Sequence, residues 1–411
     1  MFSVKINLYI CFYKELIMEH FIRKSERKKS EVSIDFERYL SREIDWNQRL
    51  ILLLGHRGVG KTTLILQQLK KDTAKSVYIS LDDYYFEEKR LIEVIQTLYD
   101  MGYRSFYIDE VHRYQYWSKE LKNVYDDFSD SKFIVTGSSI LEISKGQEDL
   151  SRRAVVYHLA GLSFREYLVL EEKKDFQVVV LEDVIKNHHQ ISPDILDQLA
   201  WKNQFKNYLN YGYYPFYREG KKVYHQKLQE TTNLVIDSDI APYEELNYST
   251  VRVMKKLLFV ISQSVPFIPN VSKLAEKLGV TRNTILKLLD ILDKAQLLSL
   301  LHASTEGISF LQKPEKIYLQ NTNLAHMFAY ESPNIGNLRE TFFLNQLEVR
   351  HQVTAPKYGD FLVDSQYVFE VGGPNKTFKQ LQGVPNGYLA IDEIDGGSGN
   401  RIPLWLFGFL Y

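Results

Sequence analysis

A glycine-rich motif in the first third of the chain constrains the fold more than any other feature. Residues 55–62 read Gly-His-Arg-Gly-Val-Gly-Lys-Thr, which is the full pattern G-x-x-x-x-G-K-[ST]. The apolar run LILLLG (50–55) precedes the motif, and an amphipathic helical pattern follows over 61–70. A chance match in a chain of this length has odds of about one in a hundred at ordinary glycine usage. The motif therefore predicts an α/β fold with a phosphate-binding loop.

The residue types in the loop predict a nucleotide site. Glycines let the backbone wrap a phosphate chain with its N–H groups pointing inward, and the following helix directs its positive N-terminus at the same anion. Lys61 would reach the β- and γ-phosphates, and the Thr62 hydroxyl would bind Mg²⁺. We expect ATP and Mg²⁺ as cofactors, with the nucleotide bound by Gly55, His56, Arg57, Gly58, Val59, Gly60, Lys61, Thr62 and Thr63.

Two carboxylates end an apolar run that lies one crossover beyond this loop. In FYIDE (106–110), Asp109 would hold Mg²⁺ directly or through water, and Glu110 would orient or deprotonate the attacking water. The next apolar run, KFIVTGS, ends in Thr136-Gly137-Ser138-Ser139. Ser138 is a candidate for contact with the γ-phosphate or its water, and a serine that caps a following helix is an equally good interpretation.

Apolar runs and helical patterns alternate along the first part of the chain. Helices are predicted over 61–70 and 86–100, and strands are predicted at 50–55, 76–82, 105–110, 132–138 and 154–159. Strands separated by helices indicate a parallel sheet with helices on both faces. Residues 19–48 read as a polar helical region, in which acidic residues interrupt the basic run and favour a solvated face over nucleic-acid contact.

Residues 45–170 resemble the AAA+ ATPases, and nearly the whole chain after about residue 30 is similar to prokaryotic ATPases with a C-terminal domain of unknown function. The similarity lies in the segments DEVHRYQYWSKELKNVYD (109–126), TGSS (136–139), LAGLSFREYL (159–168) and GYYP (212–215). It implies ATP hydrolysis and the strand order 5-1-4-3-2. Where the family shows Gly-Arg, this chain has Arg152-Arg153, so Arg153 is the matched candidate for an arginine finger. A salt-bridged helix end is the alternative.

The region after residue 250 predicts a winged-helix module. Residues 271–301 have the spacing of a helix, a Gly-Val-Thr turn and a second helix, and apolar pairs near 298–301 and 308–311 predict a wing. Arg282, Asn283 and Lys287 would lie on the exposed recognition face. These are few base-reading residues, so contact with protein is as good an interpretation as contact with DNA.

Three acidic residues of the last segment lie next to predicted elements. Glu340 lies in a helical stretch, Asp360 precedes FLV and Glu370 ends YVFEV. By this arrangement the segment resembles the PD-(D/E)xK nucleases, in which such carboxylates gather Mg²⁺ against a phosphodiester. The expected Glu-x-Lys reads Glu370-Val371-Gly372, so the catalytic lysine is missing from its place. Lys376 and Lys379 are the candidates to replace it. We prefer a nuclease-like fold that binds without cutting, because fold does not carry function.

Composition limits the class of protein. With 45% hydrophobic and 25% charged residues the chain is globular, and a net charge of −1 excludes a global basic field for nucleic acid. A single cysteine excludes a disulfide framework and a cysteine-rich metal site. No apolar stretch reaches the ~18 residues that span a bilayer, and the short apolar run near the N-terminus lacks a cleavage site. We expect a cytoplasmic protein without membrane contact, and Met18 is an alternative start.

These patterns divide the chain into an N-terminal helical extension (1–44), an AAA+ core (45–170), a helical lid or linker (171–250), a winged-helix-like region (251–312) and a nuclease-like α/β domain (313–411). The predicted function is Mg²⁺-dependent hydrolysis of ATP that drives a conformational change in the C-terminal module. A nucleotide-gated DNA-binding protein or nuclease is the alternative. A GTPase is disfavoured because the N-K-x-D pattern is missing after the fourth strand. Candidate partners are further copies of the chain and a DNA or protein client.

Overall fold

The computed structural model describes residues 18–138, 150, 152–263, 266–303, 313–329 and 332–411. The chain divides into two units, Met1–Leu159 and Ala160–Tyr411. Among the helices of these described ranges, none has the length and apolar character needed to cross a membrane.

Five parallel strands form the centre of the first unit. They are β1 (Leu50–Gly55), β2 (Ser76–Ser80), β3 (Ser105–Asp109), β4 (Lys132–Ser138) and β5 (Val155–His158), in the order β2-β3-β4-β1-β5. This confirms the predicted parallel sheet and the strand order that the family resemblance implied. Every residue of β1 is buried, as expected for a central strand covered on both faces. Because Gly55 pairs with Ser138 and Ser80 pairs with Asp109, the carboxyl ends of four strands meet at one edge.

The helices of the first unit are α1 (18–31), α2 (Lys61–Lys71), α3 (Tyr85–Glu88), α4 (Leu91–Asp100) and α5 (Trp117–Asp127). The helix predicted over 86–100 is broken between α3 and α4. Glu120 of α5 explains the break, because its carboxylate accepts the N–H of Ile92 at 3.2 Å and pairs with Arg90 at 2.9 Å. This carboxylate caps α4, so the helix begins at Leu91.

The N-terminal segment packs against the first unit, and its helix is shorter than predicted. Helix α1 ends at residue 31, and only a short turn of 3₁₀-helix follows at Tyr39–Arg42. Phe21 of α1 lies 5.5 Å from the ring of Tyr85, and Lys24 pairs with Asp83 at 2.8 Å. Gln67 of α2 donates to the carbonyl of Ser33. These contacts tie the segment to the α2–β2 side of the unit.

The second unit begins with a helical part. Its helices are α6 (Phe164–Glu172), α7 (Leu181–Leu196), α8 (Trp201–Asn207) and α9 (Tyr224–Leu234). The predicted turn-rich break at 209–217 contains a widened helical turn at Tyr208–Gly212 and a 3₁₀-helix at Pro215–Glu219. Tyr213, Tyr214 and Tyr217 are buried, and the Asn323 side chain accepts from the N–H of Tyr213 at 2.9 Å.

Three helices and a hairpin follow in the same unit: α10 (Tyr248–Ser262), α11 (Val271–Leu278), α12 (Arg282–Lys294), β6 (Leu298–Leu301) and β7 (Lys316–Leu319). Gly279, with φ of 68°, ends α11, and the Thr281 side chain caps α12. Strand β6 pairs antiparallel with β7, and the predicted partner at 308–311 lies outside the described residues. Arg282 and Asn283 are exposed, while Lys287 pairs with Glu244 at 3.0 Å. The winged-helix assignment stays a prediction.

The unit ends in a mixed sheet. Its elements are α13 (Thr322–Phe328), α14 (Ile335–Leu347), β8 (Val353–Thr354), β9 (Phe361–Val363), β10 (Tyr367–Gly372), β11 (Gly387–Ile391) and β12 (Arg401–Pro403). The strand order is β12-β11-β10-β9-β8, with β10 parallel to β11 and antiparallel to β9. Phe343 of α14 packs on Phe361 and Phe369 of this sheet. The nuclease-like assignment also stays a prediction.

Candidate nucleotide site

The loop between β1 and α2 needs glycine at Gly58 and Gly60 for backbone conformation and at Gly55 for space. Gly60 has a φ of 100° and immediately precedes the first residue of α2. A Cβ at Gly55 would lie 2.4 Å from the carbonyl oxygen of Leu159. The glycines of the motif are thus explained by the turn and by a close approach of two backbones.

Lys61 begins α2 and is buried. Its ammonium donates to the carbonyl oxygens of Gly55 at 2.7 Å and His56 at 3.0 Å, both on the loop. Arg38, which precedes the sheet and is also buried, donates to the carbonyl of Val59 at 2.5 Å. Two cations therefore hold the loop, and the sequence motif identified only the lysine.

Asp109 lies at the end of β3 among three hydroxyl groups. Its Oδ2 accepts from the hydroxyls of Tyr78 at 2.8 Å and Thr62 at 2.9 Å, and its Oδ1 accepts from Thr136. Burial, followed by repulsion from Glu110, raises the pKa of Asp109, while the three hydroxyl donors act in the opposite direction. Of these residues, the sequence singled out Thr62 and Asp109, each as a predicted ligand of Mg²⁺.

The oxygen atoms at this point fit Mg²⁺. The Thr62 hydroxyl and the Asp109 carboxylate are hard oxygen donors, they touch each other, and they lie beside the phosphate loop. Within the described residues no group of three or more His, Cys, Asp or Glu side chains is arranged to hold a metal ion. Such a group is not required, because Mg²⁺ in nucleotide sites is usually bound through one or two protein oxygens, phosphate and water.

Glu110 follows β3 in a left-handed conformation, with a φ of 58°. A non-glycine residue in this region costs about 1–2 kcal/mol, so its surroundings must hold it. Its N–H donates to the Thr136 hydroxyl at 3.2 Å. Its Oε2 lies 3.2 Å from Nε2 of His112 and 3.9 Å from a guanidinium nitrogen of Arg57. The turn therefore aims the carboxylate toward the phosphate loop.

The polar side chain of β4 beside the two carboxylates is that of Thr136. Ser138, the predicted residue, lies two positions further along, where its N–H donates to Nδ1 of His112 at 3.3 Å. Strand side chains repeat on one face every second residue, so Thr136 and Ser138 share a face and the threonine is nearer Asp109. Ser138 keeps its catalytic role only as a prediction, and Ser139 lies outside the described residues.

Arg153, the candidate finger, forms an ion pair within its own chain. Its Nε and a terminal nitrogen each lie 2.9 Å from an oxygen of Asp126 on α5. This bidentate contact lowers the pKa of Asp126. The contact corresponds to the salt bridge named as the alternative, and the finger stays a prediction.

The structure brings the three predicted C-terminal carboxylates together with lysines. Lys316 lies 3.2 Å from Asp360 and 3.7 Å from Glu340, and Lys376 pairs with Glu370. Burial, followed by repulsion from Asp360, raises the pKa of Glu340. Burial also raises the pKa of Glu370, against the influence of Lys376. In this arrangement the acids form ion pairs with lysines rather than a shared metal site.

Lys376 occupies the space that a side chain at Gly372 would fill. A Cβ built at Gly372 would lie 2.8 Å from both Cβ and Cγ of Lys376. A cavity of about 630 Å³ adjoins Lys316 and Asp360 and is also lined by Ile268, Ala303, Glu315, Ala355, Pro356, Lys357, Tyr358, Gly359, Leu362, Val368 and Val384. Of the cluster, Lys316 and Asp360 thus line this cavity.

Comparison with known proteins places two family models on the chain. Residues 47–168 match an AAA domain, and residues 202–334 match a domain of unknown function, DUF8612. The uncharacterized protein MJ1637 of Methanocaldococcus jannaschii is 26% identical over 422 aligned positions, which cover 92% of this chain and 87% of that protein.

Solved structures show weaker likeness. The Walker-type ATPase PABY2304 of Pyrococcus abyssi is 16% identical, with a TM-score of 0.38, over 71% of this chain and 95% of that one. The STAND protein PH0952 of Pyrococcus horikoshii is 15% identical, with a TM-score of 0.29, over 77% and 45% respectively. Scores this low carry no argument. The match over 47–168, together with the loop, the sheet order and the carboxylates of β3, supports an AAA-type P-loop ATPase domain in this part of the chain.

Proposed function

We propose that this protein hydrolyses ATP to ADP and phosphate with Mg²⁺ and that hydrolysis drives a conformational change in its C-terminal module. The observation that carries the proposal is the contact between the Thr62 hydroxyl and the Asp109 carboxylate at 2.9 Å. It lies beside a loop whose carbonyl oxygens at Gly55 and His56 accept from the Lys61 ammonium. A glycine turn that only connects a strand to a helix does not require the Thr62 hydroxyl to contact the Asp109 carboxylate.

The loop residues bind the phosphates in this proposal. Backbone N–H groups of the loop and the N-terminus of α2 surround the β-phosphate. The Lys61 ammonium leaves the carbonyls of Gly55 and His56 for phosphate oxygens, which carry more charge and form the stronger hydrogen bond. Thr62 and Asp109 would hold Mg²⁺, which neutralises phosphate charge when bound.

Glu110 is the general base in this proposal, since its carboxylate is the one aimed at the phosphate loop. His112 supports it: Nδ1 accepts the N–H of Ser138, so the proton of the neutral ring lies on Nε2, the nitrogen that faces Glu110. Arg57, a loop residue, lies on the other side of the same carboxylate. Glu110 orients the attacking water and takes its proton as the water oxygen bonds to the γ-phosphorus and ADP leaves with the bridging oxygen.

ATP turnover and ATP binding by the Lys61→Ala variant test the proposal. Lys61→Ala removes the direct counter-charge of the β- and γ-phosphates, so both turnover and binding should fall to background. Lys89→Ala, an exposed lysine of the same unit, is the control and should match the parent. Undiminished ATP binding by Lys61→Ala would refute the proposed site.

The cluster of acids and lysines in the second unit supports a second candidate function, nucleotide-gated binding or cleavage of nucleic acid. Its specific support is Lys376, whose side chain fills the space over Gly372 and pairs with Glu370. A cation at this point suits a phosphodiester as ligand. We propose that this module binds its target, DNA or protein. We also propose that Arg153 of the first unit stabilises the transition state of ATP hydrolysis in a neighbouring copy only if copies of the chain assemble.

A further inference from the structure

Tyr78 reaches the carboxylate of Asp109 from the neighbouring strand. Strand β2 pairs with β3 so that Tyr78 lies opposite Tyr107, and Asp109 lies two residues further along on the same face. The Tyr78 hydroxyl donates to Oδ2 of Asp109 at 2.8 Å. Both side chains are buried, at 4% and 2% exposure, so solvent has little access to replace this donor.

The donors around Asp109 have different tasks once a metal is bound. Thr62 and Tyr78 donate to the same oxygen, Oδ2, and Thr136 donates to Oδ1. Under the proposed function the Thr62 hydroxyl oxygen would bind Mg²⁺ and would no longer donate to Asp109. Tyr78 and Thr136 are then the two hydroxyls that still hold the carboxylate, one on each oxygen, which fixes the plane of the group.

The tyrosine itself is held by the N-terminal helix. The N–H of Tyr78 donates to the hydroxyl of Ser25 on α1 at 2.9 Å, and Ser25 is buried. Strand β2 is the terminal strand of the sheet, so this contact satisfies a backbone group on the side away from β3. The position of the phenol therefore depends on packing outside the phosphate loop.

We propose that Tyr78 is a positioning residue that orients Asp109 for Mg²⁺. The inference rests on the proposed function, because it assigns a task at the same nucleotide site. Hydrogen-bond partners of metal ligands typically change metal affinity 10–100-fold when removed. Loss of the Tyr78 hydroxyl should therefore raise the Mg²⁺ requirement and leave metal-free nucleotide binding unchanged.

The chain offers a matched control in Tyr107. It lies at the paired position of the adjacent strand, is equally buried, and donates its hydroxyl to Asp72 at 3.0 Å, away from Asp109. Tyr107→Phe deletes the same atom from the same face of the sheet. A merely structural effect of losing a buried hydroxyl should appear in both variants.

The experiment uses the full-length protein, Tyr78→Phe and Tyr107→Phe. Two quantities are measured: affinity for a fluorescent ATP analogue in EDTA and across a Mg²⁺ titration, and the Mg²⁺ concentration that gives half-maximal ATP turnover. Tyr78→Phe should raise the half-saturating Mg²⁺ concentration about 10-fold in both assays and keep its affinity in EDTA within about two-fold of the parent. Tyr107→Phe should match the parent throughout.

An unchanged Mg²⁺ requirement in Tyr78→Phe, or an equal rise in Tyr107→Phe, would overturn the inference. Failure of the proposed function gives a different result. In that case the parent does not turn over ATP, and Lys61→Ala binds the analogue as well as the parent does. If the parent binds the analogue without turnover, the Mg²⁺ titration of binding alone decides the role of Tyr78.

Discussion

Replacing Glu110 with glutamine separates catalysis from structure at this site. The substitution keeps the size of the side chain, replaces one acceptor oxygen with an NH₂ donor, and removes the charge and basicity. In the structure the Glu110 carboxylate lies 3.2 Å from His112 and 3.9 Å from Arg57. The N–H of Glu110 donates to the Thr136 hydroxyl at 3.2 Å, and the substitution leaves this backbone contact in place, so the left-handed turn after β3 should persist.

The Glu110→Gln substitution should change the free energy of unfolding several-fold less than it changes the activation free energy of ATP hydrolysis. The pair with Arg57 is long and partly exposed, so losing it changes the free energy of unfolding by only about 0–1 kcal/mol. Loss of a general base slows the chemical step about 10²–10⁴-fold, which corresponds to about 3–5 kcal/mol of activation free energy. A change in stability of the first size cannot account for a rate loss of the second.

Phosphate release at saturating Mg-ATP measures the rate, and a fluorescent ATP analogue measures binding. Glu110→Gln should bind the analogue as tightly as the parent and turn over ATP at no more than about a hundredth of its rate. Glu88→Gln, an exposed glutamate on α3, is the control and should match the parent in both assays. Thermal unfolding of all three proteins checks that the fold is kept.

Turnover by Glu110→Gln within two-fold of the parent would refute the assignment of the general base. The water would then be activated by another group or by the phosphate itself. A parallel loss of binding and turnover would also contradict it, because that pattern indicates damage to the loop rather than loss of a base.

Three further predictions concern residues outside the phosphate loop. If Arg153 acts on a neighbouring copy, Arg153→Ala should slow ATP turnover without weakening nucleotide binding, and turnover per molecule of the parent should rise with protein concentration. An equal loss of turnover in Asp126→Ala would assign the arginine to local structure. Lys376→Ala should weaken DNA binding in a gel-shift assay, and Asp360→Ala should not. If the parent cleaves DNA with Mg²⁺ and both variants lose that cleavage, the proposal that the module binds without cutting is contradicted. Burial raises the pKa of Glu348 from 4.5 to about 8, so the folded state keeps a proton that the unfolded state loses. Stability should therefore fall as pH rises from 4.5 to 8, and thermal unfolding of Glu348→Gln should flatten that decline.

Local patterns predicted the sheet and the phosphate loop well because their physical causes are local. A buried parallel strand needs a continuous apolar run, and the loop needs glycines next to the start of a helix; LILLLG and the motif after it meet both conditions. The location of the candidate site at one edge of the sheet was also predictable, because the carboxyl ends of parallel strands meet at the same edge. Asp109 therefore had to lie near Thr62 once β1 and β3 were identified.

Partners that come from distant parts of the chain were missed. Arg38 and Tyr78 touch the site from a segment before the sheet and from its terminal strand, and nothing in their neighbouring residues indicates this. Thr136 was not identified as a partner of Asp109 for a different reason. Thr136 and Ser138 both lie on one face of β4, and only the register between strands decides which is nearer the carboxylates. The five-part division of the chain stays a prediction.

The position of the Lys376 side chain in the C-terminal cluster depends on a single backbone turn. The sequence offered Lys376 and Lys379 equally as replacements for a cation missing at Gly372. The N–H of Lys376 donates to the carbonyl of Gly373 at 3.0 Å, and this turn folds the side chain back over β10 to Glu370. Lys379 lies in a short 3₁₀-helix, Phe378–Leu381, and is exposed. Because glycine at 372 leaves the space open, the charge enters from four residues further along the chain, and a motif search that requires a fixed spacing cannot find it.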